Sequence, residues 1–225
     1  MGLLDFLNEE HPDWEIDNSY LGNLVSLFIS DPAVKKAYFG LLHYEGQLHG
    51  DLFLAIEHDG EADEIYQMTE QIKQNHLPDQ EIFFTSTAIQ PELLDHIIES
   101  NFPFYVKNKP QALNLAVMKQ WFNPIKYKKD LIRHIKTGKI ISLFKDFDPL
   151  SDTLNFQTFI RNGKEFIPLF TEKDMIPKSG MTELPKDLTM LEFDWRKVDE
   201  GVDGHLKEHY YILNPDTSFE VEFIT

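Results

Sequence analysis

Apolar residues recur at Tyr20, Leu21, Leu24, Val25, Phe28 and Ile29 and stop at Asp31-Pro32, the spacing and punctuation of an amphipathic helix. Two short apolar runs follow, at 37–42 and 52–56, and flank Glu45-Gly46-Gln47 as the strands of a hairpin do. Asp59-Gly60 opens an acid-rich helix whose apolar positions are Ile65, Met68 and Ile72. Residues 82–85 read as a further strand. Pro91 begins another helix through Leu93, Leu94, Ile97 and Ile98. This first stretch predicts an α+β module with helices covering one face of a small sheet. From Pro110 to about Lys139 the pattern is helical, with a break at Asn123-Pro124 and a stop at Gly138. Beyond it the period changes to that of strands, at 156–160, 166–170, 188–193, 210–213 and 219–224. Asn162-Gly163 signals a tight hairpin. Asn214-Pro215-Asp216-Thr217 fits a type I turn.

Charge divides the chain at the same places. The 225 residues carry 38 acids and 21 bases, a net of −17, a field that disfavours nucleic acid and anionic membranes as partners. Residues 1–104 hold a net of −17, residues 105–164 a net of +8 and residues 165–225 a net of −8. The expected architecture is α+β, with two small α+β modules joined by a basic helical linker: residues 1–106, 107–150 and 151–225. Lys126, Lys128, Lys129, Arg133 and Lys136 make the linker basic. The reading that suits them best is docking against the acidic first module.

Composition narrows the chemistry. With no cysteine, disulfides, thiol catalysis and thiolate zinc sites are impossible. The opening MGLLDFLNEEHPDW has no positive leader region, and Phe6 stands where an acylation motif needs Ser or Thr. The apolar run at 52–56 is far too short to span a bilayer. A cytoplasmic location is expected.

Particular residues then carry a resemblance. The stretch Phe159-Ile160-Arg161-Asn162-Gly163-Lys164-Glu165-Phe166-Ile167-Pro168-Leu169-Phe170-Thr171, followed by Ile212-Leu213-Asn214-Pro215, resembles the N-terminal domain of the SseB (enhanced serine sensitivity) family. Ala37-Tyr38, the run at 52–56 and Pro103-Phe104-Tyr105 resemble that family's C-terminal domain. The two domains stand here in reversed order, which suggests modules that fold independently. The resemblance implies a bacterial cytoplasmic protein that binds rather than catalyses, often encoded near toxin–immunity or secretion loci. Pro168, Phe170, Thr171, Asn214 and Pro215 mark the family-like binding face. Strand packing and turn geometry are the plainer role of each.

The remaining candidates are sparse. His205, Glu208 and His209 match H-x-x-E-H, a zinc-peptidase spacing, but a strand rather than the required helix follows them. His43 and His49 straddle the first hairpin, with His58 as a third potential metal ligand. Asp146, Asp148 and Asp152 echo a calcium loop that lacks its Gly and ends in Gln157 instead of Glu. Glu61, Asp63 and Glu64 suit the first turn of a helix. No glycine-rich phosphate loop is present. The reading is a non-enzymatic protein-interaction module without a cofactor, whose acidic surface takes a basic partner protein in an immunity-type or regulatory role. Amino-acid sensing is the alternative, and zinc hydrolysis through His205, Glu208 and His209 is a third reading.

Overall fold

A computed structural model of the chain describes residues 18–42, 51–76, 82–146, 155–196 and 209–224. Helix α1 (Asn18–Ser30) buries Leu21, Leu24, Val25 and Phe28, the face its spacing predicts. Strands β1 (Val34–Leu42) and β2 (Asp51–His58) pair antiparallel from Val34 opposite His58 to Leu42 opposite Asp51. Helix α2 (Ala62–Asn75) begins in a capping box, where the Glu61 N–H donates to the Glu64 carboxylate at 3.1 Å. It crosses to β3 (Ile82–Ser86), parallel to β2, and α3 (Pro91–Ser100) then leads to β4 (Pro103–Val106), antiparallel to β1. The sheet order is β3-β2-β1-β4.

Helices cover both faces of this sheet, not the single face expected. Strand β2 is apolar at every position from 52 to 56, so neither face tolerates water. Leu52, Leu54 and Ile56 pack with α1 and with Met68 and Ile72 of α2. Phe53, Ala55 and Tyr38 pack with Leu94 and Ile97 of α3.

Helices α4 (Ala112–Phe122) and α5 (Pro124–Thr137) meet at Asn123, whose side-chain oxygen accepts the Lys126 N–H at 3.0 Å. Pro124 at the first helical position completes the predicted break. Gly138 ends α5 with φ −115°, an extended rather than left-handed stop. The segment expected as a helical linker also holds a strand, β5 (Lys139–Lys145). It lies inside a second sheet with β6 (Phe159–Arg161), β7 (Lys164–Phe170), β8 (Leu188–Asp194), β9 (Tyr210–Leu213) and β10 (Val221–Ile224). The order is β10-β9-β7-β5-β8, with β6 paired to β7 and a short helix, α6 (Met175–Lys178), between β7 and β8. Strands β7 and β9 run parallel and the other pairs antiparallel.

Two turns qualify the sequence reading. Asn162 and Gly163 take φ values of 52° and 76°, as the Asn-Gly hairpin requires. At Asn214–Thr217 the predicted type I turn is instead type II, because Asp216 has φ 59° at the third position.

The apolar core is continuous between the two sheets. Leu131 and Ile135 of α5 join β5, β7 and β9 to α4 and the first sheet. Phe219, in the β9–β10 connection, sets its ring 5.4 Å from that of Phe102 and 5.6 Å from Trp121, while Phe122 reaches Phe39 at 5.8 Å.

Candidate interaction surfaces

The family-like residues converge, but inside the protein. Pro168, Phe170, Thr171, Asn214 and Pro215 are all buried. Parallel pairing of β7 and β9 brings Thr171 beside Asn214, whose side-chain oxygen accepts both the Thr171 N–H and its hydroxyl at 3.1 Å. The Asn214 N–H donates to the Leu169 carbonyl at 2.7 Å, and Ser142 Oγ donates to the Pro168 carbonyl at 2.6 Å. Asn214 uses its side chain to tie two strand ends together, which leaves its backbone at φ 46° to turn away. Phe170 fills the core. These five residues form a clamp with no outward face.

The segment after the clamp joins the modules through charge. Lys109 pairs with the buried carboxylate of Glu172, and Asn114 lies 3.5 Å from the same group. Lys36 reaches Asp174 at 3.0 Å and Glu57 at 4.0 Å. The Tyr38 hydroxyl donates to Glu57 at 2.6 Å, and Lys178 donates to the Asn101 carbonyl at 2.5 Å. Burial, then the Glu57 hydrogen bond, pushes the Tyr38 phenol far above its ordinary range. Burial works against the charge on Lys36, yet Asp174, with Glu57 and Glu172 behind it, raises the ammonium above its usual value. Burial likewise opposes ionisation of Asp174, but the bond to Lys36 and the charges of Lys178 and Lys109 hold its carboxyl below the usual range. Lys178 is lowered, by burial first and by Lys36 second, against the pull of Asp174 and Glu57. No sequence pattern marks these partners, since Lys36 and Asp174 stand 138 residues apart.

On the outer side, α2 turns Ile65, Met68 and Ile72 inward and leaves the opposite side to polar residues. Asp63, Glu64, Tyr66, Gln67 and Glu70 are exposed, Tyr66 to 62%. Asp63, Tyr66, Gln67, Glu70 and Gln74 form one open stripe along the outward side of α2. Glu92, Asp95 and Glu99 of α3 are exposed as well. The first-turn acids are legible from sequence as a solvated helix start. Tyr66 and Glu70 are found by following the buried stripe to its opposite side.

The span from α1 to β4 is also where a comparison with known families decides the relationship: residues 18–107 match the SseB protein C-terminal domain. The first module is thus related to the SseB family. No curated protein and no solved structure matches the chain.

Among the described residues no ion pair joins Lys128, Lys129 or Lys136 to the acids of this first module. Leu131 and Ile135 face the core, so helical geometry turns Lys126, Lys128, Lys129 and Arg133 outward, where all four are exposed; Lys136 is half-buried. Arg133 pairs with Asp130 of its own helix, and the Lys126 ammonium lies 5.2 Å over the Tyr127 ring. Ile125, at the start of α5, is 97% exposed.

The histidines give no assembled site among the described residues, where no group of three or more potential metal ligands occurs. His58 is buried, its Nδ1 accepting the Gly60 N–H at 2.7 Å and its Nε2 3.4 Å from Asp31. Gly60 is needed there because a Cβ would lie 2.3 Å from the His58 ring. His209 is half-buried, while His43, His49, His205, Glu208, Asp148 and Asp152 lie outside the described residues. Asp146 is exposed, with φ 49°. Among the described residues no helix is long and apolar enough to cross a membrane.

Proposed function

We propose that this chain is a non-enzymatic bacterial protein-interaction module of the SseB family, working in the cytoplasm, whose acidic surface binds a basic partner protein. The observation that carries the reading is the outward face of α2, where Asp63 and Glu70 flank a largely exposed Tyr66. Carboxylates at this density draw a basic protein by long-range attraction and fix its register on contact. A tyrosine among them supplies rigid apolar area with a polar tip, the kind of side chain that anchors interfaces. Buried residues of the β7–β9 clamp support this role by holding the scaffold, and an immunity-type or regulatory partner fits the chemistry.

The test compares the tagged full-length chain with the Asp63→Lys/Glu70→Lys variant, each purified from the native host at about 50 mM and about 500 mM salt. A basic protein recovered with the wild type at low salt, and lost both at high salt and with the variant, is the expected result. Equal recovery by the variant, or recovery indifferent to salt, contradicts it.

A further inference from the structure

His58 ends β2 with its side chain wholly out of solvent, between the α1–β1 turn and the β2–α2 turn. Its Nδ1 accepts the Gly60 N–H at 2.7 Å, so that nitrogen carries the lone pair. The ring proton then sits on Nε2, which faces Asp31 at 3.4 Å. The ring and Asp31 are both held in place. The other oxygen of Asp31 accepts the Ala33 N–H at 2.8 Å, and the Asp59 N–H donates to the Ala33 carbonyl at 3.0 Å. The His58 N–H donates to Thr87 Oγ1 at 2.9 Å. Beyond Asp31, three ionisable groups stand around this junction. Asp59 is paired with Lys35 of β1, the Glu64 carboxylate of α2 lies against Gly60, and Tyr105 of β4 is close enough to Asp31 to feel its charge.

An imidazole that takes up a further proton carries N–H on both nitrogens and accepts nothing. Histidine is the side chain that makes this change between about pH 5 and 8. At His58 the two contacts then part company. The Asp31 carboxylate attracts the imidazolium, while the Gly60 N–H meets another N–H along a 2.7 Å line. We propose that His58 is an acid-sensitive latch: protonation at Nδ1 keeps the ring on Asp31 and drives Gly60 off it, releasing the start of α2. Gly60 directly precedes Glu61, the N-cap of α2, so the released segment is the helix start that carries Asp63. The latch stands on this geometry alone, whatever binds the outward side of α2. The device needs a histidine. An Asn at position 58 would accept the same N–H through its side-chain oxygen, as in an Asx turn, without taking a proton.

Amide hydrogen exchange of the full-length chain tests the latch, followed by NMR from about pH 7.5 to about pH 5 and corrected for intrinsic exchange rates. Protection of the Gly60 N–H is expected to fall at least about tenfold across that range in the wild type, and to stay within about twofold in His58→Asn. The fall should share its midpoint with the change in the His58 ring nitrogen signals. That shared midpoint is read on the wild type alone, so it decides the matter even if the variant does not fold. Unchanged Gly60 protection in the wild type, an equal fall in His58→Asn, or a midpoint that differs from that of the His58 ring would overturn the proposal.

Discussion

Asn214 is fully buried, holds φ 46° and offers one side-chain oxygen to two donors of Thr171. Replacing it with Ala leaves the buried Thr171 N–H without an acceptor and puts a Cβ residue in left-handed backbone without a side chain suited to it. Asn214→Ala is expected to lower unfolding free energy by about 2–4 kcal/mol. Thr171→Val, which loses only the hydroxyl, should cost about 1 kcal/mol. Urea denaturation measures both, and equal losses would deny the clamp its backbone role. Tyr38 acts in the other direction, through pH. Its folded phenol titrates above the unfolded one, so its contribution is whole below about pH 10 and falls as pH rises further. Lys36 has the same sign above its own ordinary range, while lowered Lys178 makes stability rise with pH below about 10.5. Asp174, held low, contributes above the ordinary carboxylate range, and that contribution is lost in acid as pH falls through its folded value. Between about pH 10 and 11 the wild type should therefore lose stability more steeply than Tyr38→Phe, by up to about 1.4 kcal/mol per pH unit. Identical slopes in urea titrations at those pH values would rule this out.

At the scale of elements, the helices up to α5 were legible because their apolar residues repeat at 3.6 and their ends carry signals such as Asp31-Pro32, Pro91 and Asn123-Pro124. Asn162-Gly163 was legible for the same local reason. Strand β5 was not, because Lys139 and Lys145 frame a short apolar run inside a stretch whose most visible property is positive charge. The type II turn at Asn214 was also hidden, since a contact with Thr171, 43 residues away, sets its backbone. Of the candidate site, the Thr171–Asn214 pairing was legible as two marked positions, but not its burial. The pairs of Lys36 with Asp174 and Lys109 with Glu172 depend wholly on how the sheets meet. The β9–β10 connection belongs to the same class: Phe219 is 2% exposed between Phe102 and Trp121. Phe219→Ala should cost about 3–5 kcal/mol in equilibrium unfolding, as deletion of a buried ring does, whereas a loop residue off the core would cost under about 0.5.

For the whole molecule, a net charge of −17 describes the chain poorly. Acids stand on the outward sides of α2 and α3, bases on that of α5, and the buried carboxylate of Glu172 is paired with Lys109. The expectation of independently folding modules meets a core that passes without interruption from α1 through α4 and α5 into β5, β7 and β9. The outward face of α2 is then carried by one body rather than by a domain on a hinge. Equilibrium urea unfolding followed by two probes tests this most directly: tryptophan fluorescence, which includes Trp121 at the junction and Trp195 in the second sheet's core, and far-ultraviolet circular dichroism, which reports both modules. One transition with coincident midpoints is the expected result. Two separated transitions, or a fluorescence midpoint displaced from that of the dichroism, would contradict it.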